Sequence, residues 1–296
     1  MIVLPFTHAD LNLPAPDTGT PVRSSISGVQ DKVELSRCRG RFEVVDHGGE
    51  YILKPIPSTP LPKYQSEVPV NEALTMSVAS RIFGIETAKH EVVSFRDGEL
   101  AYLTKRFDYR GGQKIRQEDF CQLSGRTAAS HGSGYKYDAS YEECADILRR
   151  YCNASRVELP KLFRRILFCY LFSNGDAHLK NFSLYESEQG DMLLSPAYDL
   201  LATSVHIPTE TPLALDLFAD GHFTPTFESL GFYSSADFIE LGRCFGLTSD
   251  SVRSEIARFT SAVAEVTELI DGSLLSLAAK ADYAAAFANR IKAIRQ

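Results

Sequence analysis

Long apolar runs are missing from this 296-residue sequence. The longest, Ile166 to Phe172, falls far short of the ~20 residues a bilayer-spanning helix needs, so no membrane role is expected. A basic excess is missing too. Lys and Arg total 31 against 38 Asp and Glu, a formal charge of -7, whereas a free-standing nucleic-acid binder usually carries surplus positive charge. The pairs Arg149-Arg150 and Arg164-Arg165 read as solvated helix faces. The six cysteines (38, 121, 144, 152, 169 and 244) never form a C-x-x-C. That argues against a zinc site or redox pair and for unpaired thiols in a reducing cytosol. Met1 to Pro5 lacks a basic n-region, so a cytoplasmic protein is expected. No repeat or low-complexity tract occurs. With 44% apolar and 23% charged residues the composition is that of an ordinary globular protein, which removes disordered, collagen-like and fibrous classes.

What is present changes character along the chain. Strand-like segments come first: Val33-Glu34-Leu35, Phe42 to Val45 and Tyr51 to Lys54, with the turn signal His47-Gly48-Gly49 before the third. Pro55, Pro57, Pro60 and Pro62 then forbid regular structure. Apolar positions 70, 74, 78 and 82 recur at helical spacing up to Gly84, a suitable helix stop. Glu91 to Phe95 and Glu99 to Lys105 flank Arg96-Asp97-Gly98 as a hairpin. Beyond about Gly111 helical signals dominate. Ser140 to Glu143 reads as a capping box before Cys144 to Tyr151, and Pro160 suits the first turn of a buried helix over Leu162 to Phe172. Two short strands, Phe182 to Tyr185 and Met192 to Leu194, follow, and the tail beyond Ser234 is helical with breaks at Gly246 and Gly272. A small β-rich lobe followed by a larger helical lobe predicts an α+β fold with a cleft between them, divided as 1–110 and 111–296.

The segment Asn174-Gly175-Asp176-Ala177-His178-Leu179-Lys180-Asn181 carries the most chemical information. Phosphoryl transfer needs a carboxylate to orient the attacking hydroxyl, oxygen ligands for Mg²⁺, and a cation against the moving charge. An Asp with an Asn five residues later in one loop supplies the first and part of the second. A second Asp after a hairpin can reach the same metal from the other side. Asp176, Asn181 and Asp199 fit that arrangement, with Lys180 or His178 facing the phosphates. Asp, Asn and Gly also make turns without any chemistry. Three acceptor groups and a basic pair around one hairpin favour the functional reading.

Lys54 ends an apolar strand and Glu72 begins the next helix. Either alone is ordinary, since a strand-end Lys reaches solvent and an early-helix Glu complements the dipole. Together they match the ion pair that grips nucleotide phosphates in kinases. The small residues of Ser24 to Lys32 would let backbone amides approach phosphate oxygens. Neither G-x-G-x-x-G nor G-x-x-x-x-G-K-[ST] occurs, so spacing alone does not assign that loop.

Taken together, these segments resemble the HipA family of bacterial toxin serine/threonine kinases. The resemblance is carried by Ser25-Ile26-Ser27-Gly28-Val29-Gln30-Asp31-Lys32, Asn71-Glu72, Arg106-Phe107-Asp108 and Gln117 to Gln122. It continues through Asp176 to Phe182 and Ser195-Pro196-Ala197-Tyr198-Asp199. It implies a protein-kinase-like bilobal fold and ATP with Mg²⁺. Asp176 becomes the catalytic base-like residue, and Asn181 and Asp199 become metal ligands. The ATP-binding set becomes Ser27, Gly28, Val29, Gln30, Asp31, Lys32, Lys54, Glu72, His178, Lys180, Asn181, Tyr198 and Asp199, with Lys105-Arg106-Phe107 as the hinge that meets adenine. The family's regulatory serine falls on Ser25, with Ser27 as a second hydroxyl, and its autophosphorylation is associated with loop ejection and loss of activity.

The family usually has an additional subdomain of about a hundred residues before this loop. The short stretch ahead of Ser25 and the Ser-Ile-Ser arrangement resemble the HipT branch. There a separate small protein, HipS, and a DNA-binding HipB accompany the kinase, so DNA contact would be indirect. The expected substrate class is an aminoacyl-tRNA synthetase, with the tryptophanyl enzyme first. Lys105 departs from the family, which tends to carry Glu there. Two other readings stand beside this one: a small-molecule kinase on the same fold, and a catalytically silent module of a repressor complex.

Overall fold

A computed structural model of the chain describes residues 1–11, 13 and 31–296. The first layer is an antiparallel sheet of β1 (Val33–Cys38), β2 (Arg41–Val45), β3 (Tyr51–Lys54), β4 (His90–Ser94) and β5 (Leu100–Lys105), in the order β2-β1-β3-β5-β4. Successive side chains of a strand point to opposite faces. Leu53 therefore enters the core that Leu35, Phe42, Val93, Phe95 and Leu103 form on one face. Its neighbour Lys54 emerges on the other, where helix α1 (Val68–Arg81) packs.

Helix α1 begins two residues before the apolar periodicity and carries Pro69 in its first turn, where the missing N–H is not needed. It ends on Gly84, whose φ of +59° lets the amide of Ile85 return to the carbonyl of Ala79 at 2.9 Å. The hairpin β6 (Tyr109–Arg110) and β7 (Gln113–Lys114) leads into β8 (Gln117–Asp119). Short helices α2 (Phe120–Ser124) and α3 (Ala128–His131) precede α4 (Tyr141–Tyr151). The capping box expected at Ser140 is there. Its hydroxyl accepts the amide of Glu143 at 3.2 Å, and the Glu143 carboxylate accepts the amide of Ser140 at 2.7 Å.

Helix α5 (Ser155–Leu171) starts earlier than the predicted Leu162, so Pro160 lies inside it rather than in the first turn. The ring costs the hydrogen bond that the Arg156 carbonyl would accept. Beyond it Leu162, Ile166, Leu167, Phe168 and Leu171 are wholly buried. Strands β9 (Ser183–Glu186) and β10 (Met192–Leu194) form the expected hairpin, but β8 joins them in a three-stranded sheet. The remaining helices are α6 (Pro225–Leu230), α7 (Ser235–Cys244), α8 (Ser249–Ser261), α9 (Val263–Asp271) and α10 (Leu277–Ile294).

One core runs through α1, α4, α5 and the C-terminal helices. Phe83 stacks on Phe259 at 4.1 Å, Phe168 on Phe172 at 4.3 Å and Phe172 on Phe287 at 4.7 Å. Each such ring contributes on the order of 2–3 kcal/mol by burial. The sheet-rich part is thus tied to the helical part through α1, and α5 is held rigidly where its C-terminal loop must be placed. Among the described residues no helix is long and apolar enough to cross a membrane.

Candidate active site

The loop after α5 is built around Asn174. Its side-chain oxygen accepts the amide of Asp176 at 3.3 Å, and its side-chain nitrogen donates to the carbonyl of Asp199 at 3.4 Å. One amide thus holds together two stretches separated by a hairpin. Gly175 is needed for closeness: a Cβ there would lie 2.3 Å from the Thr211 carbonyl oxygen. Asp199 follows a short parallel bridge between Ala197 and Thr87, which brings the end of the β9–β10 unit against the segment after α1. Its backbone is left-handed at φ +54°, a strained geometry for a non-glycine residue and one that recurs at functional sites.

Lys54 meets both carboxylates. Its Nζ donates to Glu72 Oε1 at 2.6 Å and to Asp199 Oδ1. Burial pushes the Lys54 ammonium down, but Asp199 and then Glu72 outweigh it and hold the pKa above the ordinary 10.5. Burial likewise pushes the Asp199 carboxyl up, and Lys54 outweighs that and leaves it below 3.8. Lys54 is therefore a fixed cation at neutral pH.

A cavity of about 610 Å³ opens in front of this pair. Of the sequence-predicted residues, Lys32, Lys54, Lys105, Arg106, Phe107, His178, Lys180, Asn181, Tyr198 and Asp199 line it. Glu72 stands behind Lys54. Asp31 is turned away, accepting the Ser58 amide at 3.2 Å. Ser25, Ser27, Gly28, Val29 and Gln30 lie outside the described residues. Asp176 is not on the cavity wall. It is 4% exposed, and the Tyr137 hydroxyl donates to its Oδ1 at 2.6 Å.

The hinge stretch is engaged in the sheet edge. The amides of Lys105 and Arg106 donate to the carbonyls of Lys89 and Glu50 at 2.7 and 2.8 Å. The Arg106 guanidinium forks onto Asp108 and reaches Glu34 at 2.7 Å. The Phe107 ring lies 5.6 Å from that of Tyr198 at an interplanar angle of 33°, giving the cavity an aromatic side. Of the two basic candidates in the Asp176 loop, burial pushes His178 down to about 4, so it is neutral at pH 7. The charged one is Lys180, which Tyr135 holds somewhat above its ordinary value.

The residue types fit a hard divalent cation. Asn181 Oδ1 is buried without a hydrogen-bond partner among the described residues, an orphaned oxygen on the side where Asp199 stands. Among the described residues no three His, Cys, Asp or Glu side chains cluster as a metal site. The oxygen set offered here is an amide with carboxylates, suited to a cation that keeps several ligands from water or phosphate.

Sequence reasoning assigned no role to Tyr135, Lys136 and Tyr137, although Tyr135 and Lys136 line the cavity and Tyr137 covers Asp176. Only the unusual run of two tyrosines around a lysine beside Gly132 and Gly134 signals them. Glu210 was also not singled out. It lies against Gly175, and burial pushes its carboxyl up to about 7.

A small antiparallel sheet carrying Lys54, a helix packed on it carrying Glu72, a helical part carrying the Asp176–Asn181 loop and a cavity between them define a bilobal, protein-kinase-like α+β fold. The sequence profile of the HipA-like C-terminal domain matches residues 24–267, and the chain belongs to that family. A Haemophilus influenzae protein that is a kinase by provisional name is 30% identical over 247 residues, 77% of this chain and 69% of that one. The serine/threonine-protein kinase toxin HipA of Shewanella oneidensis is 27% identical over 267 residues, covering 82% of this chain and 57% of the relative. Two solved structures share the fold. HipA in the Shewanella oneidensis complex of HipA, HipB and operator DNA has a TM-score of 0.72 at 22% identity, over 97% of this chain and 68% of that one. The Helicobacter pylori proinflammatory kinase CtkA has 0.57 at 11% identity, over 88% and 90%.

Proposed function

We propose that the chain is a protein serine/threonine kinase that uses ATP and Mg²⁺ and acts as the toxin of a toxin–antitoxin system. The observation that carries this reading is Lys54 held between Glu72 and Asp199 at the back of a cavity that also receives Asn181 and Lys180. Asn181 and Asp199 would hold Mg²⁺, which supplies charge neutralisation across the phosphates. Lys54, Lys180 and Lys32 offset the remaining negative charge. Asp176 orients the acceptor hydroxyl and takes its proton as the new O–P bond forms, the bond to the β-phosphate oxygen breaks, and ADP leaves. The aromatic side made by Phe107 and Tyr198 suits adenine. With the amides of Lys105 and Arg106 already engaged, other backbone groups of 105–107 make the hinge contact.

Family membership supports the coarser part of this reading, and the resemblance of Ser25 to Lys32 supports the finer part. In that finer part the chain is of the HipT branch, regulated by autophosphorylation at Ser25 and Ser27. It is accompanied by HipS-like and HipB-like proteins in the cytoplasm and acts on an aminoacyl-tRNA synthetase, the tryptophanyl enzyme first. The lobes divide at 110/111. Asp176→Asn tests the core of the proposal. Loss of a positioned proton acceptor should lower transfer about 10²–10⁴-fold while ATP still binds. Equal labelling of protein by wild type and variant would refute it. The depth of Asp176 favours one second reading, a kinase of small acceptors, because in this state no macromolecule reaches that carboxylate.

A further inference from the structure

The acceptor side of the cavity is filled by the chain itself. The turn between α3 and α4 sends three consecutive side chains toward the catalytic loop. Lys180 Nζ lies 5.6 Å from the Tyr135 ring, and Lys136 lines the cavity. Tyr137 meets His178 edge-on at 5.1 Å and donates its hydroxyl to Asp176 at 2.6 Å. A carboxylate that takes a proton from an acceptor must lie within about 2.6–3.2 Å of that hydroxyl. The Tyr137 hydroxyl meets this requirement, and while it does so Asp176 stays buried.

Among the described residues the backbone bonds of this turn are internal: the amides of Tyr135, Tyr137 and Asp138 donate to the carbonyls of Gly132 at 3.2 Å, Gly134 at 2.8 Å and Tyr135 at 3.4 Å. Lifting it breaks no strand ladder, and Gly132, Ser133 and Gly134 supply a pliant arm on one side.

We propose that the Tyr135-Lys136-Tyr137 turn is a displaceable occupant of the acceptor subsite: the Tyr137 hydroxyl holds the place on Asp176 that a serine or threonine hydroxyl takes, and a macromolecular acceptor binds by lifting the turn. This rests on the kinase reading and resolves its difficulty with a protein-sized substrate. The substrate class is then a hydroxyl on a mobile peptide segment able to enter where the tyrosine leaves.

The test uses the full chain, labelled ATP with Mg²⁺, and a peptide of residues 22–34 of this sequence, which carries Ser24, Ser25 and Ser27. Tyr137→Phe keeps the ring and removes the competing hydroxyl, so kcat/KM for the peptide should rise about tenfold, or about 1.4 kcal/mol. In the wild type, amide hydrogen exchange over 132–138 should quicken when the peptide saturates the enzyme, a measurement independent of how the variant folds. A fall in kcat/KM in Tyr137→Phe would make Tyr137 a positioning residue and overturn the proposal. So would phosphate on Tyr137 by mass spectrometry, or a turn that stays protected while the peptide is labelled. If neither protein transfers label to anything, the kinase reading falls and this inference with it, whereas label from the wild type alone overturns only the inference.

Discussion

Replacing Lys54 by Met keeps most of the side-chain length and removes the charge that binds the two halves of the site. Glu72 is 1% exposed and would lose the Lys54 ammonium from its buried carboxylate. Breaking a buried pair from one side costs about 3–5 kcal/mol. Asp199 is 37% exposed, so water screens its loss and it adds little. For a chain of this size the loss corresponds to a fall in Tm of roughly 5–8 °C. The pH dependence has a definite sign. In the variant the buried Glu72 carboxylate has lost the Lys54 ammonium, which favours its protonated form, so the deficit should shrink on acidification. In the wild type Lys54 stands above 10.5, so its contribution is complete below that pH and disappears as pH rises through the folded value. The depressed Asp199 contributes above 3.8 and is lost as pH falls. Adding Glu72→Gln to Lys54→Met should recover about 2–3 kcal/mol of stability and none of the ATP affinity. Urea midpoints at about pH 5 and pH 8 with unchanged slope measure the first, and titration calorimetry measures the second. A single variant as stable as wild type at both pH values, or a double variant no more stable than the single, would refute the coupling.

Asn181→Ala should fold normally and weaken Mg²⁺-dependent ATP binding at least 10–100-fold, read by calorimetry with and without the metal. On the proposed phosphate-loop role of Ser25 to Lys32, Ser25→Asp with Ser27→Asp should lower ATP affinity; unchanged affinity would count against loop ejection by repulsion. His178 and His206 both have pKa values pushed down to about 4 by burial, so the unfolded chain takes up protons first and stability drops as pH falls from about 6.5 toward 4. Each histidine accounts for up to about 3 kcal/mol, and NMR titration should find both rings neutral at pH 5.5.

The Lys54–Glu72 pairing was legible because alternation along a strand and the start of a helix fix which way each side chain faces. The grouping of Asn181 and Asp199 was legible because a hairpin of ordinary length returns the chain to its starting point. Strand β8 was not, since its three residues pair with β9 across more than sixty positions and carry no apolar alternation of their own. The reach of α5 back to Ser155 was hidden by Pro160, which usually marks a first turn but is tolerated here because the helix is so deeply packed beyond it. The Tyr137 contact was invisible for a different reason. A glycine-flanked turn has no periodicity, and its bond to Asp176 depends wholly on where two distant loops meet.

The fork of Arg106 onto Asp108 and Glu34 has a mechanical side. It fastens the connection between the lobes to β1, the strand that Lys32 immediately precedes. A swing of the small sheet about that fastening would carry the Lys32 ammonium toward or away from Asp199, so opening the cavity and withdrawing a cation from its wall would be one movement.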